Sequence, residues 1–391
     1  NLFGKPYNPS TSASDPGIPY MLAPETELNK KYERTSVAKI YQQIDADLQE
    51  GLPLINDSYY DMPKYHFNKR AAYAFAARFY LYYQQWQKAL DAANEVLTTN
   101  DRTTKNLLRN WRDFRDVSKV GSTKQGNRAL YYTRDDIQAN LLVLPVYSSI
   151  TNYFSEDYSR RYTHNSRISN QETLAAPNLW DTQGKAIINE RYWFMPIKTE
   201  SNDANTIFFD KWPAFSGDYS RSIMIPFTTD ETLLVRAEAK IHLKQYESAV
   251  NDLNLWTSKF IQVKEVAGYT NKNQVTQDEI VAFYNGINYS QATDEGATQK
   301  KHLNPSFTIE ADGVQEPLLH YLLECRRVLT LGDGLRWQDI RRYNIEVVRY
   351  KTDENNRNQF SVKAVLPPDD PRRTLQLPTM VLQAGMTPNP R

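Results

Sequence analysis

A helical-hairpin pattern is written twice in this chain, about 160 residues apart, and it constrains the fold more than any other feature. Between Asn68 and Thr98, Tyr73, Ala76, Ala77 and Tyr80 occupy the positions where a tetratricopeptide-type unit places a large residue, an apolar residue, a small residue and an aromatic. Ala89 and Ala93 fit a second helix that the small side chains let come close, and the break falls near Gln84 and Gln85. Ala77, Trp86, Ala89 and Asn94 then recur as Ala237, Tyr246, Ala249 and Asn254. The second copy diverges, with Arg236 and Lys240 in place of Ala76 and Tyr80. Stacked hairpins normally need three or more units, so these two must pack on something else.

Two further segments complete a mainly α scaffold. Val37, Ile40, Tyr41, Ile44 and Leu48 keep the i, i+3, i+4, i+7 spacing of an amphipathic helix over 35 to 52, closed by Pro53. Helix returns from Glu316 to Arg342, with Pro317 in a first turn and Leu318, Leu319, Leu322 and Leu323 on one face. Only 14 of 391 residues are glycine, which also favours helices over a turn-dense β protein. The spacing therefore predicts a helical scaffold over 35–99, 229–260 and 316–343. Residues 100–228 and 262–316 lack a sustained helical period and are expected to form an irregular, loop-rich lobe, with short strands at Ala129–Thr133 and Tyr192–Lys198. The proline-rich tail, 365–391, is expected to wrap the surface in extended form.

Charge and motifs exclude several function classes. Lys plus Arg number 47 against Asp plus Glu 46, so no bulk field draws the chain to nucleic acid or anionic lipid. The single cysteine, Cys325, precludes an intramolecular disulfide and a Cys-based zinc or iron–sulfur site. It lies in the apolar face of its helix and reads as a small core residue. The longest aliphatic run, Leu141 to Tyr147, falls well short of the roughly 20 residues of a membrane helix. No Walker loop, GxGxxG, HExxH, GxSxG or EF-hand loop occurs, so no cofactor is expected. His66, His164, His242, His302 and His320 stand far apart and give no metal-ligand spacing. Arg326, Arg327, Arg336, Arg341 and Arg342 lie near Glu324, Asp333 and Asp339, a pattern read as structural ion pairs rather than a phosphate site.

The aromatics carry the binding argument. Tyr73, Tyr80, Tyr82, Tyr83, Trp86 and Trp256 sit at helix-packing spacing and are assigned to the core or its seams. Trp180, by contrast, stands in the polar stretch Ala176 to Gly184, and Tyr153, Tyr158 and Tyr162 are set among Ser, Asn, Asp and Arg. Trp193 and Trp212 are ambiguous. An aromatic ring beside amide, carboxylate and guanidinium groups suits a sugar, which offers an apolar C–H face and a hydroxyl rim. Trp180, Tyr153, Tyr158 and Trp193 are therefore candidate platforms, with Asn178, Asp181 and Arg160 as hydroxyl partners and Tyr7 and Tyr20 in second rank; no catalytic or metal-binding residue is assigned.

The segments in order resemble the SusD/RagB-like outer-membrane nutrient-binding lipoproteins of Bacteroidetes. The opening Asn1-Leu2-Phe3-Gly4-Lys5-Pro6-Tyr7 is similar to that family's NLYG-type motif, and Leu233-Leu234-Val235-Arg236-Ala237-Glu238-Ala239 with Tyr246, Ala249 and Leu253-Asn254 is similar to its LLxxAEA segment. The most specific likeness runs from Glu324-Cys325-Arg326-Arg327 to Gly334-Leu335-Arg336-Trp337-Gln338-Asp339-Ile340-Arg341-Arg342, although Thr330-Leu331-Gly332-Asp333 departs from the pattern. The resemblance implies one SusD-like domain over 1–391, lacking the family's lipidated N-terminal cysteine and first helices. It implies non-catalytic capture of an oligosaccharide at the cell surface and delivery to a SusC-like TonB-dependent transporter, with a lipid anchor as the membrane contact. The family's glycan site lies on variable loops, so it transfers no site residue. Three rivals stand beside this reading: a RagB-type peptide binder, a helical-repeat adaptor exposing Tyr80, Tyr83 and Trp86, and a glycosidase built on two facing carboxylates.

Overall fold

The computed structural model describes residues 2–24, 26, 31–117, 130–148, 166–184, 191–193, 214–215, 218–266, 268–353 and 359–391. Helix α1 (Val37–Gly51) starts where Ser36 accepts a hydrogen bond from the Lys39 backbone N–H, and buries Val37, Ile40 and Tyr41. The first hairpin is α2 (Lys69–Tyr82) and α3 (Trp86–Leu97). Asn68 caps α2 through the Ala71 N–H, and its amide also donates to the Leu141 carbonyl at 2.7 Å, so this cap ties the scaffold to the lobe. Short helices α4 (Asp101–Leu107) and α5 (Trp111–Val117) follow, then strand β1 (Leu144–Tyr147), helix α6 (Ser166–Glu172), and strands β2 (Ala214–Phe215) and β3 (Asp218–Met224). The three strands form an antiparallel sheet in the order β1-β3-β2.

The second hairpin is α7 (Thr229–His242) and α8 (Tyr246–Phe260). Its register against the first is the sequence repeat: the turn residues Gln84 and Lys244 both adopt left-handed φ, 62° and 59°. In each copy the next residue, Gln85 or Gln245, donates its N–H to a carbonyl five residues back, at 2.9 and 2.8 Å. The divergent positions are compensated. Arg236 makes two hydrogen bonds to Asp252, at 2.9 and 2.6 Å, and reaches Asn94 and the Thr98 carbonyl in the first hairpin, while Lys240 joins Asp252 at 2.7 Å. The substitutions thus dock one hairpin on the other.

Hairpin β4 (Glu265–Val266) and β5 (Tyr269–Thr270) precedes α9 (Gln277–Asn285), which is followed by α10 (Gln315–Leu329), α11 (Leu335–Arg342), hairpin β6 (Val347–Thr352) and β7 (Phe360–Leu366), and α12 (Thr379–Gln383). Gly332 and Gly334, with φ of 85° and 77°, break α10 from α11. Helix α7 lies at the centre, in contact with α2, α3, α8 and α10, and all but two of its residues are buried. One core gathers Leu233, Leu234, Trp256, Leu318, Leu322 and Cys325 together with lobe residues Trp111, Phe114, Leu142, Leu179 and Trp180; a second joins α1 to the first hairpin through Tyr41, Ala76, Ala77, Tyr80, Leu90 and Ala93. The lobe is thus what the hairpins pack on.

The architecture is mainly helical with few short strands, as expected, but local assignments change. Residues 130–132 are helical rather than a strand, because Tyr132 turns inward against Trp111 and Phe114. Of the strand expected at 192–198, Tyr192 forms an isolated bridge to Ile261 and Trp193 donates its N–H to the Phe260 carbonyl at 3.1 Å; the residues from 194 on lie outside the described set. Helix α9 falls inside the stretch read as loop. The tail, expected to be extended, packs on the N-terminal segment, with Leu375 N–H donating to the Leu2 carbonyl and the Asn389 amide to the Phe3 carbonyl, and it contributes the end of β7 and α12.

Candidate ligand surfaces

The expected platform around Trp180 is not a surface. Trp180, Asn178 and Asp181 are each 0 % exposed. The Asn178 side-chain oxygen accepts the N–H groups of Trp180 and Asp181, closing a turn, and Asp181 pairs with buried Arg191 at 2.8 Å. The Trp180 indole donates to the Tyr321 hydroxyl at 2.9 Å among Tyr192, Trp256 and Tyr321. Every polar group of the stretch that looked made for a hydroxyl is used inside the protein, so all three residues are withdrawn from the candidate site. Tyr153, Tyr158 and Arg160, like Tyr162 and Trp212, lie outside the described residues. Trp193 is half-buried, with the Arg112 and Arg115 guanidinium groups 5.6 and 5.8 Å from its ring. Tyr20 is exposed at 36 % and donates to Asp47.

On the sheet of the lobe, Tyr147 is 79 % exposed and sits opposite Arg221 in the β1–β3 register. The guanidinium lies over the ring, 4.9 Å from its centroid, and donates to the hydroxyl at 3.0 Å. A second exposed group is the α1–α2 connection, where Tyr59, Met62, Tyr65 and Phe67 are 82, 50, 45 and 48 % exposed. Neither group was singled out from sequence. The signal at 147 was available, an aromatic alternating out of a strand opposite an arginine, but the strand pairing that reveals it is non-local.

A polar cleft of about 450 Å³ opens between the N-terminal loop, residues 304–306, the end of α11 and the strap at 369–374. Tyr7 reaches it, half-buried and edge-on to Tyr83 at 4.8 Å. The hairpin turn sets this wall: the Gln84 amide donates to the Tyr7 carbonyl at 3.0 Å and to Ser306 at 2.9 Å. Across the cleft, Asn344 and Asp369 both hold left-handed φ and clasp each other, side-chain amide to carboxylate and backbone N–H to amide oxygen, both at 2.9 Å. Lys5 pairs with Asp15 at 2.6 Å.

The arginine group is largely structural, as read. Arg326 and Arg342 meet Glu238 and Asp339, and Arg327 meets Glu172 at 3.3 Å. Glu324 behaves differently. It accepts from the Tyr284 hydroxyl at 2.6 Å, its other oxygen has no partner, and burial pushes its carboxyl up to about 7 against that hydrogen bond and the Arg191 and Arg327 charges. The folded state therefore keeps a proton that the unfolded chain releases near 4.5. This contribution to stability is full below pH 4.5 and fades as pH rises through about 7. Buried His242 and His320, whose pKa values burial lowers, act in the opposite sense as pH rises toward 6.5. Urea titrations of wild type and Glu324→Gln from pH 4.5 to 8 should show the wild-type advantage shrinking by roughly 3 kcal/mol. A difference independent of pH would refute the buried protonated carboxyl.

Among the described residues no group of His, Cys, Asp and Glu is arranged to hold a metal ion, and no helix is long and apolar enough to cross a membrane. Residues 1–81 match the model of a SusD-like family described as starch-binding and associating with the outer membrane. Along the whole chain the fold matches that of a SusD superfamily protein from Bacteroides thetaiotaomicron, with a TM-score of 0.57 and 18 % identity over 100 % of this chain and 74 % of that one. A sugar-binding protein so described from Bacteroides vulgatus gives 0.61 and 18 % over 100 % and 73 %. A SusD-like carbohydrate-binding protein from the same species gives 0.53 and 16 % over 94 % and 69 %. No curated protein sequence matches the chain. The resemblance read from the three motifs is borne out, and so is the SusD-like fold.

Proposed function

We propose that this SusD/RagB-like protein is a non-catalytic carbohydrate binder, which holds an oligosaccharide at the outer face of the outer membrane and hands it to a SusC-like TonB-dependent transporter. The observation that carries the carbohydrate reading is the Tyr147–Arg221 pair, an exposed ring with a guanidinium over one face and bonded to its hydroxyl. A pyranose ring stacks its C–H face on such a phenol and offers hydroxyls to the adjacent donors. Tyr153, Tyr158 and Arg160 follow Tyr147 closely in the chain and are proposed to extend the surface; Trp193 and Tyr20 are retained as peripheral contacts. The sugar-binding descriptions of two structural neighbours support this reading. Transporter delivery and an N-terminal lipid anchor rest on the family resemblance.

The helical-repeat adaptor lacks the exposure it requires. Tyr80 is 5 % exposed and bonded to Asp45, and Trp86 stacks on His242 at 4.0 Å. Affinity electrophoresis and calorimetry against a polysaccharide panel test the proposal. A single open site should give Kd between about 1 mM and 1 μM, and Tyr147→Ala should weaken it roughly two- to tenfold. No reducing ends should be released. A blank panel with peptides retained would sink the carbohydrate reading, and released sugar ends would sink the non-catalytic one.

A further inference from the structure

Two buried guanidinium groups line the polar cleft with no carboxylate at ion-pair distance among the described residues. Arg373 spends its donors on the carbonyls of Ile340, Ile345, Leu366 and Pro367. Arg341 is 4 % exposed; its Nη2 donates to the Gly4 carbonyl at 2.5 Å and lies 3.5 Å from the Thr374 hydroxyl, while Nε and Nη1 have no acceptor. Burial, with the Arg373 charge adding to it, holds the Arg341 guanidinium down to about 10, as expected of a cation that the fold does not neutralise. The acids around the cleft are otherwise engaged: Asp15 with Lys5 and Thr11, Asp370 with Arg372, and Asp369 with Asn344. A buried charge without its counter-charge costs stability, and a protein that keeps one beside an open cavity is poised for a ligand that supplies it.

We propose that the cleft is an anion subsite in which Arg341, backed by Arg373, receives the carboxylate of a uronic acid or the sulfate ester of a sulfated sugar. The surroundings favour a saccharide, since Asn8 and Asn304 line the same cavity with side-chain amides, beside Ser306 and Asn344, which are engaged with Gln84, Tyr7 and Asp369. Its volume falls within the roughly 300–1,000 Å³ of small-molecule sites. A guanidinium that lacks a counter-charge attracts either anion, and because its unpaired Nε–H and Nη1–H lie on different edges of the group each would meet a single oxygen. The saccharide half of this assignment rests on the carbohydrate reading above, while the anionic half does not.

Calorimetry of the whole chain in sulfate- and phosphate-free buffer, with glucuronate, glucose 6-sulfate, glucose, inorganic sulfate and an acidic tripeptide, tests both halves. At least one anionic sugar should bind ten times more tightly than glucose, and which of the two does so identifies the anion. Arg341→Gln should remove that preference. Thr374→Asp, which places a carboxylate beside Arg341 and leaves the guanidinium present, should remove it too, so the test survives if Arg341→Gln misfolds. Tyr147→Ala should leave the preference intact. Equal affinity for glucose and its charged analogues, or folded variants that bind anions like wild type, would overturn the site. Preference for the tripeptide would overturn the saccharide half. If a neutral polysaccharide binds through Tyr147 while no anion binds, the cleft proposal falls and the carbohydrate reading stands; if inorganic sulfate binds at Arg341 but no sugar binds anywhere, the anionic half stands and the saccharide half falls with the carbohydrate reading.

Discussion

Glu238→Ala is expected to cost about 3–5 kcal/mol of folding stability, the usual consequence of stripping one partner from a buried ionic network. Glu238 is 0 % exposed on α7. Its Oε1 accepts from Arg342 Nη2 and the Tyr343 hydroxyl, both at 2.6 Å, and Arg326 Nη2 lies 2.5 Å from Oε2. Asp339 holds the other side of Arg326 at 2.8 Å, and the Arg342 guanidinium lies 4.7 Å from the Tyr82 ring of α2. One carboxylate thus joins the second hairpin to α10 and α11 and, through Arg342, to the first hairpin. Removing it leaves two guanidinium groups facing Asp339 alone. Burial would raise the Glu238 carboxyl, but Arg326 and Arg342 hold it well below the usual carboxylate range. Its contribution is therefore present above about pH 4.5 and is lost as pH falls toward the folded value. Urea unfolding followed by circular dichroism at pH 7 should show the midpoint fall sharply, and acid unfolding should lose its Glu238 component. A loss under about 1 kcal/mol would mean that the network is an ornament of the fold rather than its junction.

The parts of the fold that were legible in sequence are those whose cause is local or periodic. The hairpins could be read because alanines at 76, 77, 89 and 93 recur at helical spacing and the turn residues Gln84 and Lys244 fall at equivalent places. Helix α9 was legible and overlooked: Thr276 and Glu279 form a reciprocal capping box, a signal four residues long. Glu238 was visible within a motif, but its role was not, because its partners are contributed about 90 to 105 residues later. The arginine group shows the same limit. Five guanidinium groups close in sequence divide by tertiary surroundings into Arg326, Arg327 and Arg342, which meet carboxylates, and Arg336 and Arg341, which make no ion pair among the described residues. The binding surface was least legible because composition reports polarity without reporting who satisfies it.

Trp180 states that problem as a measurement. A tryptophan between Asn178 and Asp181 reads as an exposed sugar platform only if those side chains face water. Here Asn178 folds onto the backbone, Asp181 finds Arg191, and the Lys272 N–H takes the Trp180 carbonyl at 2.9 Å, so the turn carries its polar atoms into the core already paired. The indole can then be buried at no polar cost. Trp180→Ala is accordingly expected to destabilise the protein by about 3–5 kcal/mol through the cavity left among Tyr192, Trp256 and Tyr321. Trp180→Phe, which keeps most of the ring but withdraws the donor from the Tyr321 hydroxyl, should cost about 1–3 kcal/mol. Denaturant midpoints should order the three proteins wild type, Phe, Ala, while the folded fraction of each variant should bind glycan with wild-type affinity. Selective loss of glycan affinity with an unchanged midpoint would return Trp180 to the surface and overturn this placement of the lobe against the hairpins.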